Sequence, residues 1–162
     1  MNMTGPGNGK PSIHFTWEEA VITTHREIQN ILPESLKSAI ISTADHLEIV
    51  RGILKVPIHI LSWYRCPELN TAVGGTPNSQ HMQGTAVDFH ASEFGSPLLV
   101  CKRLARFAGS IIFDQLILEH TWVHISFSAT PNGKARREVL TLLQDKTYAV
   151  GLTDKFGFPI IV

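Results

Sequence analysis

Ser79-Gln80-His81-Met82-Gln83-Gly84-Thr85-Ala86-Val87-Asp88 sets a histidine and an aspartate on either side of a glycine. On a straight strand His81 and Asp88 would stand roughly 23 Å apart, at about 3.3 Å per residue. A single zinc ion needs each donor atom within about 2.0–2.2 Å of it. The two side chains can share an ion only if the backbone folds back between them. Gly84, midway, is the residue that permits such a turn. Beyond it Ala86, Asp88 and His90 fall on one face of a strand, and Val87 and Phe89 on the other. On spacing alone, a surface loop entering an ordinary strand accounts for the stretch equally well.

Working outward, Glu119-His120-Thr121-Trp122-Val123-His124 reads as a short turn entering another strand. Trp122, His124 and Ser126 point one way; Val123, Ile125 and Phe127 point the other. A histidine beside a tryptophan on the more polar face suggests the wall of a site, although a lone histidine there is more often structural. Taken with His81 and Asp88 it makes a set of two histidines and one carboxylate. Three protein ligands leave zinc a fourth position, the catalytic rather than the structural arrangement. A third segment, Ser62-Trp63-Tyr64-Arg65, ends in an arginine that could polarise a substrate carbonyl. Without the other segments, a surface ion pair would be the better reading of Arg65.

The rest of the chain supplies an α+β scaffold. Thr16-Trp17-Glu18-Glu19 is a capping box opening a short helix to about Thr24. Pro33 opens a longer helix, with Leu36, Ile40, Thr43, Ala44, Leu47, Val50 and Leu54 at steps of three and four. Pro57–Trp63 alternates as a strand, and a loop punctuated by Pro67, Gly74, Gly75 and Pro77 runs from Cys66 to His81. Thr85–Ala91 is a strand. Ser96-Pro97 caps a helix to about Ala108, ending at Gly109. Ile111–Leu118 and Trp122–Phe127 are paired strands, Arg136–Leu143 a last short helix and Tyr148–Val150 a last edge strand. The expected architecture is a small antiparallel sheet with helices packed on one side and the metal site at the sheet. Residues 1–13 are expected to be a flexible arm, and 14–162 a single domain.

Composition narrows the function. The 162 residues carry 14 basic and 14 acidic side chains and no net charge. That balance disfavours nucleic acid and anionic membrane as partners. No apolar run approaches the roughly 18 residues needed to span a bilayer. Met1–Ser12 lacks the apolar core of a Sec-type export signal. Cys66 and Cys101 are expected to be free thiols, Cys101 as a small core residue.

Together the three segments resemble the zinc D-Ala-D-Ala carboxypeptidases and phage L-alanyl-D-glutamate endopeptidases. The family signature Ser-x-His-x-x-Gly-x-Ala-x-Asp is matched at every fixed position by Ser79 to Asp88. Ser62-Trp63-Tyr64-Arg65, followed by Leu69-Asn70, is similar to the family's Ser-Gly-Tyr-Arg…Asn stretch, with Trp63 in place of the glycine. Phe113-Asp114-Gln115-Leu116-Ile117, leading to Trp122-Val123-His124, resembles the final ligand strand, and the similarity covers roughly residues 14–140.

The resemblance implies one zinc per chain held by His81, Asp88 and His124, with Arg65 on the substrate carbonyl. Ser79, Tyr64 and Trp122 are implied as substrate contacts, and His90 as support behind the ligands. Many members carry their catalytic Glu or Asp three residues before the last histidine. Here that position is Thr121, so Glu119 is assigned as general base, aimed at the site by a bulge, ahead of Asp114. His120 is a candidate for the cleft lining. The implied activity is hydrolysis of peptide bonds in bacterial peptidoglycan by a monomeric enzyme. A phage endolysin of L-alanyl-D-glutamate type leads the alternatives, acting from the host cytoplasm on the wall after release, or as a virion component. The others are a D,D-carboxypeptidase or endopeptidase and a non-catalytic, zinc-stabilised wall-binding module.

Overall fold

A computed structural model describes residues 9–128 and 134–160. The described residues form four α-helices, α1 (Trp17–Ala20), α2 (Lys37–Leu54), α3 (Pro67–Ala72) and α4 (Pro97–Arg106). The six strands among the described residues are β1 (His59–Ser62), β2 (Ala86–His90), β3 (Gln115–Glu119), β4 (Trp122–Ser126), β5 (Glu138–Leu142) and β6 (Tyr148–Val150). They make one sheet in the order β1-β2-β4-β3-β5-β6. Every pairing is antiparallel except β3 with β5, which is parallel. The fold is therefore α+β, as expected.

Period-2 burial divides the sheet. Val87, Phe89, Leu116, Leu118, Val123 and Ile125 are buried on one face, in a single cluster with Ile40 and Leu47 of α2 and Val100 and Leu104 of α4. Burying each such side chain is worth roughly 1.5–3 kcal/mol relative to leaving it exposed. The opposite face carries Asp88, Ile117, Glu119 and His124, and it is the face left open for chemistry.

Local signals set most boundaries. Thr16 closes the capping box on Glu19, with both reciprocal hydrogen bonds formed. Ser96 caps α4 with Pro97 in its first turn. Pro33 does not open α2. It precedes a 3-10 turn, Glu34–Leu36, from which α2 continues. Other expectations fail too, and α1 ends at Ala20 rather than near Thr24. The segment after Cys66 is not all loop: Cys66 caps α3, with Pro67 in the first turn. Arg136–Leu143 is not a helix but contains strand β5, in which Val139 packs on the core and Thr141 is buried. Of the expected arm, residues 1–8 lie outside the described residues. Within 9–13, Gly9 accepts a hydrogen bond from the Trp17 indole at 2.7 Å, and Ser12 donates one to Glu48 at 2.6 Å.

Candidate active site

The sequence around Gly84 folds back as the spacing requires. Gln80–Gln83 forms a 3-10 turn, with the Ser79 hydroxyl accepting the His81 N–H, and Gly84 ends it at φ +72°. The backbone conformation favours glycine at that position, and a neighbouring side chain would have to shift to admit any other residue. The backbone is left-handed, and a Cβ would sit 2.9 Å from Ile40 Cδ1. The Gly84 carbonyl is then held from two sides, by the Trp63 indole N–H at 2.9 Å and the Thr43 hydroxyl at 3.1 Å. Trp63, the departure from the family glycine, is fully buried and works as scaffold.

The turn delivers His81 to Asp88, and the sheet delivers His124. Asp88 on β2 lies directly across from His124 on β4. Ligand atoms of His81, Asp88 and His124 all lie within 4.8 Å of one another. His124 Nδ1 is 2.8 Å from Asp88 Oδ1, and His81 Nε2 is 3.3 Å from Asp88 Oδ2. His81 Nδ1 meets the Trp63 carbonyl at 2.7 Å. A carbonyl only accepts, so Nδ1 carries the proton and Nε2 turns its lone pair to the carboxylate. Two acceptors face each other there, an arrangement that a cation resolves. Burial lowers the His81 pKa, which keeps the imidazole in its neutral, ligating form. Burial pushes the Asp88 carboxyl up, but the hydrogen bond and charge of the His124 imidazole oppose this, and the net direction is down. The donor set fits zinc.

The other groups gather around this centre in a cavity of about 650 Å³. Arg65 follows β1. Its Nε donates to Ser62 Oγ at 2.8 Å and its Nη2 to Asp88 Oδ2 at 2.5 Å. Glu119 is the last residue of β3, opposite Trp122 in regular register. No bulge aims it. Strand alternation alone puts it on the face of Ile117, with the two-residue turn His120-Thr121 beyond it. Its carboxyl is raised above the ordinary glutamate value by burial and then by the charge of Asp88, with His124 and Arg65 opposing. Ser79 and Trp122 line the cavity.

Residues 13–126 match the family model described as Peptidase M15. The chain belongs to the peptidase M15 family. It is a zinc metallopeptidase of that family, and the matched span includes His81, Asp88, His124, Arg65 and Glu119. No curated protein matches the sequence.

Within this M15 peptidase some expected site residues fall elsewhere. Tyr64 is buried in the core and does not line the cavity; β1 has ended by then, and the Tyr64 N–H bonds to the Ala20 carbonyl. His90 shares the face of Asp88 but turns to the sheet edge. Its ring pairs with His59 at 5.0 Å and its Nδ1 meets Ser92, so it does not support the ligands. His120 is exposed at the hairpin turn, outside the cavity lining. Asp114 is engaged elsewhere. It accepts the Arg136 backbone N–H at 2.8 Å, Arg136 Nη2 at 2.6 Å and Gln80 Nε2 at 3.1 Å. The sequence reading missed Gln80, Arg136, Leu140 and Tyr148 in the cavity wall. Leu140 reaches the wall on β5, whose burial does not alternate, and Arg136 from just before it; Tyr148 arrives through β6, which was expected as a strand but not as part of the site.

Proposed function

We propose that the chain hydrolyses a peptide bond in peptidoglycan stem peptides, with one zinc per chain held by His81, Asp88 and His124. The observation that carries this reading is Glu119: an unligated carboxylate on the same sheet face as a three-ligand cluster, within one cavity. A cluster kept only for stability would not need it. When bound, zinc supplies Lewis-acid polarisation of the scissile carbonyl. Glu119 accepts a proton from the attacking water and passes it to the leaving amine. Burial and the charge of Asp88 raise its pKa, which makes its carboxylate a better proton acceptor than an ordinary glutamate. Arg65 has N–H donors beyond those on Ser62 and Asp88, and these face the charge that develops on the carbonyl oxygen.

Within this reading the L-alanyl-D-glutamate bond is favoured, cut by a phage endolysin that reaches the wall after release from the host cytoplasm. The resemblance of Gly74-Gly75 and Asn78-Ser79-Gln80-His81 to phage members supports it. A second reading is a D,D-carboxypeptidase, which would use the same metal site on the terminal bond; Arg136 lines the cavity, but its guanidinium is already paired with Asp114 and Glu138. Digestion of purified sacculi tests both. New amino groups without new reducing sugar ends are expected, and chelation is expected to stop their release. Mass spectrometry then separates products cut after the first stem residue from products lacking only the terminal D-alanine. A rise in reducing ends would refute the peptidase reading.

A further inference from the structure

The family match ends at residue 126, but the cavity does not. Its far wall is built by β5 and β6, which the chain adds beside β3. Two features hold this wall in place. Asp114 accepts the Arg136 backbone and side chain, and the Glu138 N–H bonds to the Asp114 carbonyl at 3.0 Å. The Gln115 amide then donates to Glu138 at 2.9 Å. The hairpin is thus tied to the strand that ends in Glu119.

The register shows what the wall presents. Ile117 pairs with Leu140, so Glu138, Leu140 and Leu142 share the sheet face of Ile117 and Glu119. Leu142 pairs with Tyr148, which puts Tyr148 on that face too. Leu118 pairs with Thr141, so Leu142 and Tyr148 stand at the level of Glu119. Two strand spacings of about 4.8 Å put the Glu119 and Tyr148 backbones roughly 10 Å apart. Both side chains line the same cavity.

We infer that Tyr148 is a substrate-contacting residue, its hydroxyl donating a hydrogen bond to the carbonyl oxygen of the bound peptide across the cavity from Arg65. This rests on the peptidase reading. The chemistry of the wall supports it. Of the neighbouring cavity-face groups at this end, Leu140 donates nothing, Glu119 as a carboxylate only accepts, and the Trp122 indole N–H is itself buried. Burial, and then the negative charges of Glu119 and Asp88, raise the Tyr148 pKa. The hydroxyl therefore keeps its proton at neutral pH. At 54% exposure the ring is not committed to the core and is open to an incoming chain.

The test compares wild type, Tyr148→Phe and Tyr148→Ala on soluble stem peptide, with zinc content and thermal melt measured for each. Tyr148→Phe should keep both zinc and melt while kcat/KM falls. The expected loss lies between about 10-fold, the upper end for one neutral hydrogen bond, and about 100-fold, the lower end for an oxyanion donor. If the bond strengthens in the transition state, kcat carries the loss and KM stays level. An active wild type with Tyr148→Phe at the wild-type kcat/KM overturns the inference, even if Tyr148→Ala is impaired, because only the ring would then matter. A silent wild type overturns the peptidase reading itself, and the inference with it.

Discussion

Replacing Glu119 with glutamine isolates the proton-transfer step from everything else the site does. The amide keeps the shape of the side chain but cannot act as a base at neutral pH. Glu119 is not one of the clustered ligands, so the variant should bind zinc as the wild type does. General acid–base assistance is worth about 100- to 10,000-fold, which at 1.36 kcal/mol per decade is about 3–5 kcal/mol of barrier. Stability should move the other way. Burial and Asp88 raise the Glu119 pKa in the fold, so its ionised form costs stability above that pKa. Glutamine removes this penalty, and the chelated variant should melt no lower than the chelated wild type at neutral pH. The assay is amino-group release from sacculi at saturating zinc, with metal content read by atomic absorption. A Glu119→Gln enzyme within twofold of wild type, fully loaded with zinc, would refute the reasoning and return Glu119 to the role of a strand-end residue.

The ligand set predicts that His81→Ala and His124→Ala each lose zinc sharply under equilibrium dialysis, and full occupancy in the double variant would sink the assignment. Asp114 predicts an acid limb of stability. Burial raises its carboxyl, but the hydrogen bonds from Arg136 outweigh this and hold it below 3.8. Its contribution is therefore present above the unfolded value and lost as pH falls through the folded one, so an Asp114→Asn melt should converge on wild type only in strong acid. Of the two free thiols, Cys101 is buried and its pKa pushed up to about 12, whereas Cys66 is half-buried. A thiol reagent should titrate one group quickly in the native protein and two in denaturant; two fast groups would contradict the burial.

The metal cluster was the most legible part of the sequence, because Ser79 to Asp88 matches a specific family signature; the spacing alone fitted an ordinary loop equally well, and Gly84 supplies the turn that brings the ligands together. The faces of β2 and β4 were legible because alternation is a property of the strand itself. Glu119 reads from the sequence as a turn residue that needs a bulge to aim it, whereas it ends β3 in regular register and plain alternation faces it into the site. The failures have a common cause. β5 is a strand because it lies parallel to β3, and its tie to Asp114 spans 22 residues of sequence, so nothing local separates it from a short helix. Tyr64 and His90 were assigned from motif position and strand parity. Both depend on where β1 ends and on which strand forms the sheet edge, which are tertiary facts.

The doubly held carbonyl of Gly84 bears on the order in which the molecule assembles. The turn that faces His81 to Asp88 is pinned by Thr43 of α2 and the Trp63 indole on that one oxygen, so the pairing is expected to wait for both. The same tryptophan's own carbonyl then sets the His81 tautomer. The nascent chain therefore has no competent pair of ligands to offer, even though His81 and Asp88 are near neighbours in sequence. Metal capture becomes a late event that follows helix docking and sheet closure. The rate at which zinc enters a refolding chain should then track the slowest tertiary step rather than the encounter of ion and protein.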